Sequence, residues 1–493
     1  MTIHLKLLLA LYQVTAIYQL CWALSPPSFR IAIIGGGSSG VMAASSIKKS
    51  VHRDVLPSVD ITVYESTKDV LRNIRNHHQD GILYDASKTP MDVLNAGYPR
   101  GRKEITSLMT KYFPPMQQQK WFEDRGVEFR TRQDGTMTCS DGNASPVISA
   151  LLDDQLRETI ETNARVVSIS KDDETGCFQL SVNGRQEIHD CVILATGNSY
   201  LGFQLAKSLG HTITKPVRSC FELVLKDSNI LSSMEEGGTY DLPYVRLSYK
   251  VAIKGQKRPR IIRSEGPARL QLYNSQVLLT GIAALSLSSV AAFELKDATY
   301  KGTLLIHFCP DHLGGKVENL EQFLWQYRQD NPNEIMGERC PLQFANVDYD
   351  EYDWETESFK SITTDCIPQN LWRGLVQESG MAYDSTWSKV NPKKCRKLAE
   401  SMVGCSLEFR GRNTCSMYPF IDAGGTSLRE VDMNSMQSKV VDGLFLCGQV
   451  LDGDASHSCF SFMRDLATGK MAGESAVLYA KEILLSKNNN ITY

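Results

Sequence analysis

Residues 30–40 read Arg30-Ile-Ala-Ile-Ile34-Gly35-Gly36-Gly37-Ser38-Ser39-Gly40, and this stretch decides the fold. Arg30–Ile34 is an apolar, mostly β-branched run, the pattern of a strand buried on both faces of a parallel sheet. The residues after Gly40 keep a helical pattern through Lys49, and a second apolar strand, Ile61–Tyr64, ends at Glu65. Strand, helix and strand make a βαβ unit. In Gly35-x-Gly37-x-x-Gly40 the first glycine allows the tight turn. The second lets the backbone approach a pyrophosphate, and the third lets helix and strand pack closely. The pyrophosphate is expected at the N-terminus of the following helix, where free N–H groups and the dipole favour an anion, with Ser38 and Ser39 among the cofactor contacts. Glu65, about 25 residues past Gly40, is placed to bind adenosine ribose hydroxyls. A gap of about 20 is usual, and the polar insertion His52–Asp60 accounts for the excess. An acid at this point disfavours a 2′-phosphate.

Two later stretches extend the site. Asp190-Cys-Val-Ile-Leu-Ala-Thr-Gly197 reads as a strand ending in Ala195, Thr196 and Gly197, small residues that leave room for a dinucleotide. A third strand, Gly443–Cys447, precedes Gly448, Gln449 and Asp452-Gly-Asp454. A long helix follows from about Cys459 to Leu485; its Ala467, Gly469, Ala472, Gly473 and Ala476 permit close packing on a sheet. In a flavoprotein of this order the Gly448–Phe460 segment meets the pyrophosphate and ribityl chain, with Gly448, Gln449, Asp452 and Phe460 as contacts. The helix N-terminus then points at the flavin ring, where its dipole stabilises negative charge. An NAD site needs no such C-terminal return, so the pattern favours FAD over NAD.

Between these pieces, Ile105–Tyr112 and Ser145–Thr162 look helical, and a meander spans Arg165–Ser170, Cys177–Val182 and the strand Asp190–Ala195. Residues 212–310 show short strands, and 316–410 look largely helical. The expected fold class is therefore α/β: a discontinuous Rossmann-like FAD-binding domain (28–210 and 415–485). It is interrupted by a β-rich subdomain (211–312) and a helical or mixed one (313–414), and ends in a tail (486–493). The 493 residues, 42% hydrophobic and 22% charged, exclude a disordered chain, a collagen-like fibre and a small disulfide scaffold. A net charge of −3 lacks the basic footprint of a nucleic-acid binder, so no nucleic-acid partner is expected.

Leu5–Trp22 is almost wholly apolar, Cys21 and Ala23 are spaced like a signal-peptidase site, and Ser25-Pro26-Pro27 breaks any helix. A cleaved secretory signal over 1–23 is expected, leading to the ER lumen or the exterior with no membrane attachment afterwards. An anchoring helix and a plastid-targeting leader are the alternatives. Sequons at Asn143 and Asn490 fit a secretory route. The 13 cysteines are scattered singly without a C-x-x-C pair, so they read as small buried hydrophobes.

The chain resembles the YhiN/BaiN-like flavoproteins, also called aminoacetone oxidase family FAD-binding enzymes, over most of its length. The resemblance is carried by Gly35–Gly40, Val192-Ile-Leu-Ala-Thr-Gly-Asn-Ser-Tyr200, Leu209-Gly-His-Thr-Ile213, and Thr280-Gly281 with Leu285-Ser-Leu-Ser288. Its most specific parts are Asp422-Ala-Gly-Gly-Thr-Ser-Leu-Arg-Glu430, Ser435-Met-Gln-Ser-Lys439, Gly443-Leu-Phe445 and Gly448-Gln-Val-Leu-Asp452. It implies an FAD domain interrupted by a β-rich and a small helical subdomain, and FAD as cofactor. Three departures accompany it. The family's glycine-rich loop around the flavin becomes Arg75-Asn-His-His-Gln-Asp-Gly81. Its Gly-Gly-Tyr/Phe-Asn becomes His457-Ser-Cys-Phe-Ser461, and its acid before Val-Leu-Asp becomes Gln449.

The expected function is FAD-dependent oxidation or reduction of a small molecule by hydride transfer, with NAD(P)H or oxygen as redox partner. A degenerate flavoprotein fold acting as a non-catalytic binding protein is the rival, motivated by the altered flavin-side loops. An NAD dehydrogenase is a third option. No catalytic residue and no Ser-His-Asp set is assigned. His457 and Cys459 fall where the helix should meet the flavin ring and read either as tuning groups or as ordinary loop residues. His77-His78 on a polar loop reads as solvated, and no metal site is expected. Lys254–Arg260 reads as a solvated hairpin and Asp348–Glu357 as an exposed face.

Overall fold

The computed structural model describes residues 28–53, 59–77, 82–85, 91–131, 135–251, 258–353, 358–413 and 421–489. The 1–23 leader, His78–Gly81, most of Lys254–Arg260, the side chains of 348–357 and the Asn490 sequon lie outside the described residues.

The chain opens with β1 (Phe29–Ile34), α1 (Ser38–Arg53) and β2 (Val59–Tyr64). It reaches β3 (Ile160–Glu161), β4 (Cys191–Leu194) and α2 (Tyr200–Ser208). The expected long helix over 145–162 is instead two short ones, Ser145–Leu151 and Asp154–Arg157, followed by β3. Next come β5 (Ile213–Ser219), β6 (Leu223–Leu225), β7 (Thr239–Val251), β8 (Arg260–Tyr273), β9 (Gln276–Thr280), α3 (Ile282–Val290) and β10 (Gly302–His307). Three further helices are α4 (Val317–Asp330), α5 (Gln369–Glu378) and α6 (Pro392–Gly404). The chain closes with β11 (Cys405–Arg412), β12 (Ile421–Thr426), β13 (Val431–Asp432), β14 (Gln437–Ser438), β15 (Leu444–Leu446) and α7 (Ser458–Asn489).

Seven strands form one sheet in the order β13-β14-β15-β4-β1-β2-β3, parallel from β15 through β3. Ile31, Ile33, Val192, Ile193, Leu194, Leu444 and Leu446 are fully buried in it, which explains runs without polar alternation. Each such side chain contributes about 1.5–3 kcal/mol by leaving water. The expected meander is a separate antiparallel sheet of Val166–Lys171, Phe178–Val182 and Arg185–His189; its last predicted strand is β4 of the main sheet.

The small residues of α7 do bring it into close contact, but against α1. A Cβ on Gly469 would lie 2.3 Å from the Ser39 carbonyl oxygen, and one on Gly473 2.3 Å from that of Ala43. Two glycines one turn apart thus set a backbone-to-backbone helix crossing that clamps the N-terminal turn of α1.

The middle of the chain differs from expectation in two respects. β6-β9-β8-β7-β10-β11 close into a barrel, and β7 and β8 are 13 and 14 residues long rather than short. Pro243 and Pro267 each lack the N–H that a strand ladder uses. They sit at the register shift between Leu242 and Val245, a bulge where a missing N–H costs no ladder bond. The barrel is also not contiguous. α4–α6 and the hairpin Gln343–Asp353/Ser358–Asp365 form an excursion, after which β11 returns to pair with β6 and β10. An antiparallel ladder of β5 with β12 joins barrel and sheet.

Candidate functional site

At the carboxyl ends of β1, β2 and β4, where connections leave the central strand in opposite directions, lies a cleft of about 240 Å³. This is the position in which open α/β sheets bind ligands. Gly35, Gly37, Ser38, Ser39, Glu65, Ala195, Thr196, Gly197 and Gln449 all line it.

The three glycines of the loop play different parts. Gly35 has φ +111°, and a Cβ there would come 2.3 Å from the Ala195 carbonyl oxygen. A Cβ on Gly40 would come 1.9 Å from the Gly35 carbonyl oxygen. These two are sealed against backbone. Gly37 would meet nothing within 4 Å, so its bareness serves open space in the cleft. Beside it the N-terminal turn of α1 carries no acidic residue, leaving its N–H groups available to an anion.

Glu65 is oriented from two sides. Its Oε2 accepts from Gly36 N–H at 2.8 Å, and its Oε1 accepts from Thr67 N–H and Oγ1, both at 2.8 Å. A carboxylate so fixed keeps lone pairs for ligand hydroxyls. On the facing wall, Thr196 Oγ1 is buried without a hydrogen-bond partner among the described residues. A Cβ on Gly197 would meet nothing. Gln449 is braced by its Nε2 donating to Ser461 Oγ at 2.8 Å. A bare glycine at a helix N-terminus, an oriented acid and an unpartnered wall hydroxyl fit the adenosine and diphosphate half of a dinucleotide.

Four expected contacts lie off the cleft wall. Gly40 packs under the loop as described. Gly448, at φ +78°, packs on Ser39, whose Oγ would be 2.4 Å from a Cβ. Asp452 is engaged elsewhere: it accepts from Arg100 Nη2 at 2.7 and 2.8 Å and from Thr214 Oγ1 at 2.6 Å. Phe460 is buried, stacked on Tyr84 at 5.1 Å, with Tyr98 O–H donating to its carbonyl oxygen at 2.9 Å. Asp452 ties a distant loop and Phe460 fills core. His457 and Cys459 are buried and also lie off this cleft wall.

Arg100 also pairs with Asp454 at 3.1 Å. Burial of Asp454 nevertheless wins over Arg100, pushing its pKa up to about 7. The motif residues His211, Glu430 and Ser438 meet in a knot away from the cleft. His211 Nδ1 lies 3.1 Å from Glu430 Oε2, and its Nε2 lies 3.0 Å from Ser438 Oγ. This has the outline of a Ser-His-Glu triad. Ser438 Oγ, however, also accepts from Val440 and Val441 N–H at 3.0 and 2.9 Å, so its lone pairs are occupied and it is a turn cap. Among the described residues no cluster of three or more His, Cys, Asp or Glu is arranged for a metal, and no helix is long and apolar enough to cross a membrane.

Sequence reasoning passed over Arg464 and Asp465. The signal was an adjacent charge pair inside a stretch, Cys459–Gly469, that is otherwise small or apolar apart from hydroxyls. Asp465 lines the cleft.

A parallel sheet with a glycine-bare cleft at its switch point, an oriented acid after the second strand and a C-terminal strand and helix returning to the first defines an FAD-binding protein of the Rossmann class. The chain belongs to the HI0933-like family: the profile described as HI0933-like protein Rossmann domain matches residues 29–475. This family, of the YhiN/BaiN type, consists of FAD-dependent oxidoreductases. The chain is similar to the 3-dehydro-bile acid delta(4,6)-reductase of Clostridium scindens, 22% identical over 91% of this chain and 98% of that protein. It is also similar to the ribosomal RNA dihydrouridine synthase of Escherichia coli, 21% identical over 74% of this chain and 78% of that one. Among solved structures, the open conformation of a flavocytochrome c3 fumarate reductase aligns with TM-score 0.40 and 12% identity, over 94% of this chain and 81% of that chain.

Proposed function

We propose that the protein is an FAD-dependent oxidoreductase acting on a small molecule by hydride transfer, with NAD(P)H or oxygen as its redox partner. The observation that carries this reading is the cleft in which Gly37 is bare while Glu65 is oriented by Gly36 and Thr67. Glu65 would take the adenosine ribose hydroxyls, and the first turn of α1 would take the diphosphate. Gln449, braced by Ser461, would face the segment beyond. FAD when bound supplies two-electron transfer; the chain positions it and sets the field around it. The relatives' names point to a steroid acid and to an RNA, so the family does not fix the substrate. The net charge of −3 favours the small molecule. No family match or relative favours the non-catalytic rival.

The test is the visible spectrum of the purified mature protein. Flavin bands that bleach with dithionite, and with NADH or NADPH, support the reading. A colourless protein that FAD cannot reconstitute overturns it. The leader supports secretory routing as a further part of the proposal. Its test is N-terminal sequencing of protein from the native host, with an intact Met1 refuting cleavage.

A further inference from the structure

Arg464 and Asp465 are the two charges in the otherwise uncharged, buried run Cys459–Gly469 of α7. Arg464 is 2% exposed and Asp465 8%. The guanidinium is fixed on every side: Nη1 donates to the Gly453 carbonyl, and Nη2 donates to Ser461 Oγ at 3.0 Å and to Asp465 Oδ1 at 2.9 Å. Nε also donates to Oδ1 at 3.3 Å. Asp465 Oδ2 makes no hydrogen bond among the described residues, although the side chain lines the cleft with Gly37, Ser38, Ser39 and Gln449. A buried ion pair is no more stabilising than a well-packed apolar pair. An acceptor left open in a ligand cleft is what a binding role requires.

Its place along the cleft narrows the ligand group. The sheet order β15-β4-β1-β2 sets that place: Glu65 follows β2, the glycine loop and α1 follow β1, and the Gly448 turn follows β15 on the other side. Asp465 Oδ1 lies against the Gly448 turn, 3.4 Å from where a Cβ on Gly448 would stand. A dinucleotide laid from Glu65 past Gly37 passes from ribose to diphosphate and then to a polyol. A carboxylate repels the diphosphate and attracts hydroxyls. Resting on the FAD reading, we propose that Asp465, held by Arg464, accepts a hydrogen bond from a ribityl hydroxyl of bound FAD.

ADP ends at the diphosphate and lacks the polyol, so it separates the two contacts. Calorimetric titration of the apoprotein with FAD and with ADP would be run on wild type, Asp465→Ala and the double variant R464M/D465A. The double variant removes both charges, so no unpaired buried guanidinium remains to disturb the fold, and thermal melts verify it. The expected result is an FAD Kd raised about 10- to 100-fold in both variants, with ADP binding unchanged. The proposal is overturned if FAD binds both variants as it binds wild type. It is equally overturned if FAD and ADP weaken together, the mark of a structural role, or tighten together, the mark of diphosphate repulsion. Wild type that takes ADP but not FAD sinks the underlying FAD reading instead.

Discussion

Gly37→Val separates the fold from the site. Gly37 has no atom within 4 Å of a built Cβ and no positive φ, so the folded apoprotein accepts a side chain there. Its stability should change by no more than about 0.5 kcal/mol, as for a substitution that meets nothing. The valine methyls then stand where a diphosphate must approach. Displacing it removes N–H bonds to a charged group, each about 1.5–3 kcal/mol. Two such bonds amount to about 3–6 kcal/mol, a loss in affinity of roughly 10²- to 10⁴-fold. Gly35→Ala is the opposite case: its Cβ would lie 2.3 Å from a backbone oxygen, at φ +111°. Overpacking of that kind costs about 1–3 kcal/mol or more. The assay pairs urea unfolding of the flavin-free proteins with FAD titration by fluorescence quenching. Gly37→Val should unfold like wild type and fail to bind; Gly35→Ala should unfold early. Full FAD uptake by Gly37→Val, or unfolding as early as Gly35→Ala, would refute the division of labour among the three glycines.

Three further outcomes follow from the same geometry. Asp454 keeps its proton in the fold up to about pH 7, while the unfolded chain loses it near 3.8. Its contribution to stability is therefore complete below about pH 4 and falls by about 4 kcal/mol as pH rises through 7. Asp454→Asn should flatten that slope in pH-dependent denaturation, and an unchanged slope would count against it. Gly469→Leu forces α7 off the Ser39 backbone and should cost about 3 kcal/mol or more in urea unfolding; a change below about 0.5 kcal/mol would show that the helix crossing is loose. Glu65→Gln presents one acceptor where Gly36 and Thr67 N–H need two. It should cost about 1–3 kcal/mol in stability and weaken both FAD and ADP in calorimetry, whereas loss of FAD alone would place the ribose elsewhere.

The half of the site that was legible in sequence is the half built from backbone. Gly35 and Gly40 are constrained by backbone a few residues away or at the end of a neighbouring strand, while Gly37 and Ala195–Gly197 line the cleft at the ends of β1 and β4. Spacing along the chain therefore reports them. The barrel was partly legible for the same reason. Strand character showed in β7 and β8, but their length did not, because Pro243 and Pro267 are tolerated only by a bulge that both strands create together.

The flavin-side half depends on which distant side chain a residue meets. Asp452 sits in a motif position that reads as a ligand contact, yet Arg100 and Thr214, both more than 200 residues earlier, take its carboxylate. Gln449 carries no charge, while Asp465 brings a carboxylate to the same cleft from the next helix. A scan that follows motif positions records the missing charge at 449 and misses the one supplied at 465. Charge in a cleft is a property of the assembled wall: Arg464 can hold Asp465 there only because Gly453 and Ser461 hold Arg464. Comparing a divergent flavoprotein with its family position by position therefore overstates what it has lost, and the sum of carboxylates facing the cleft is the quantity to compare.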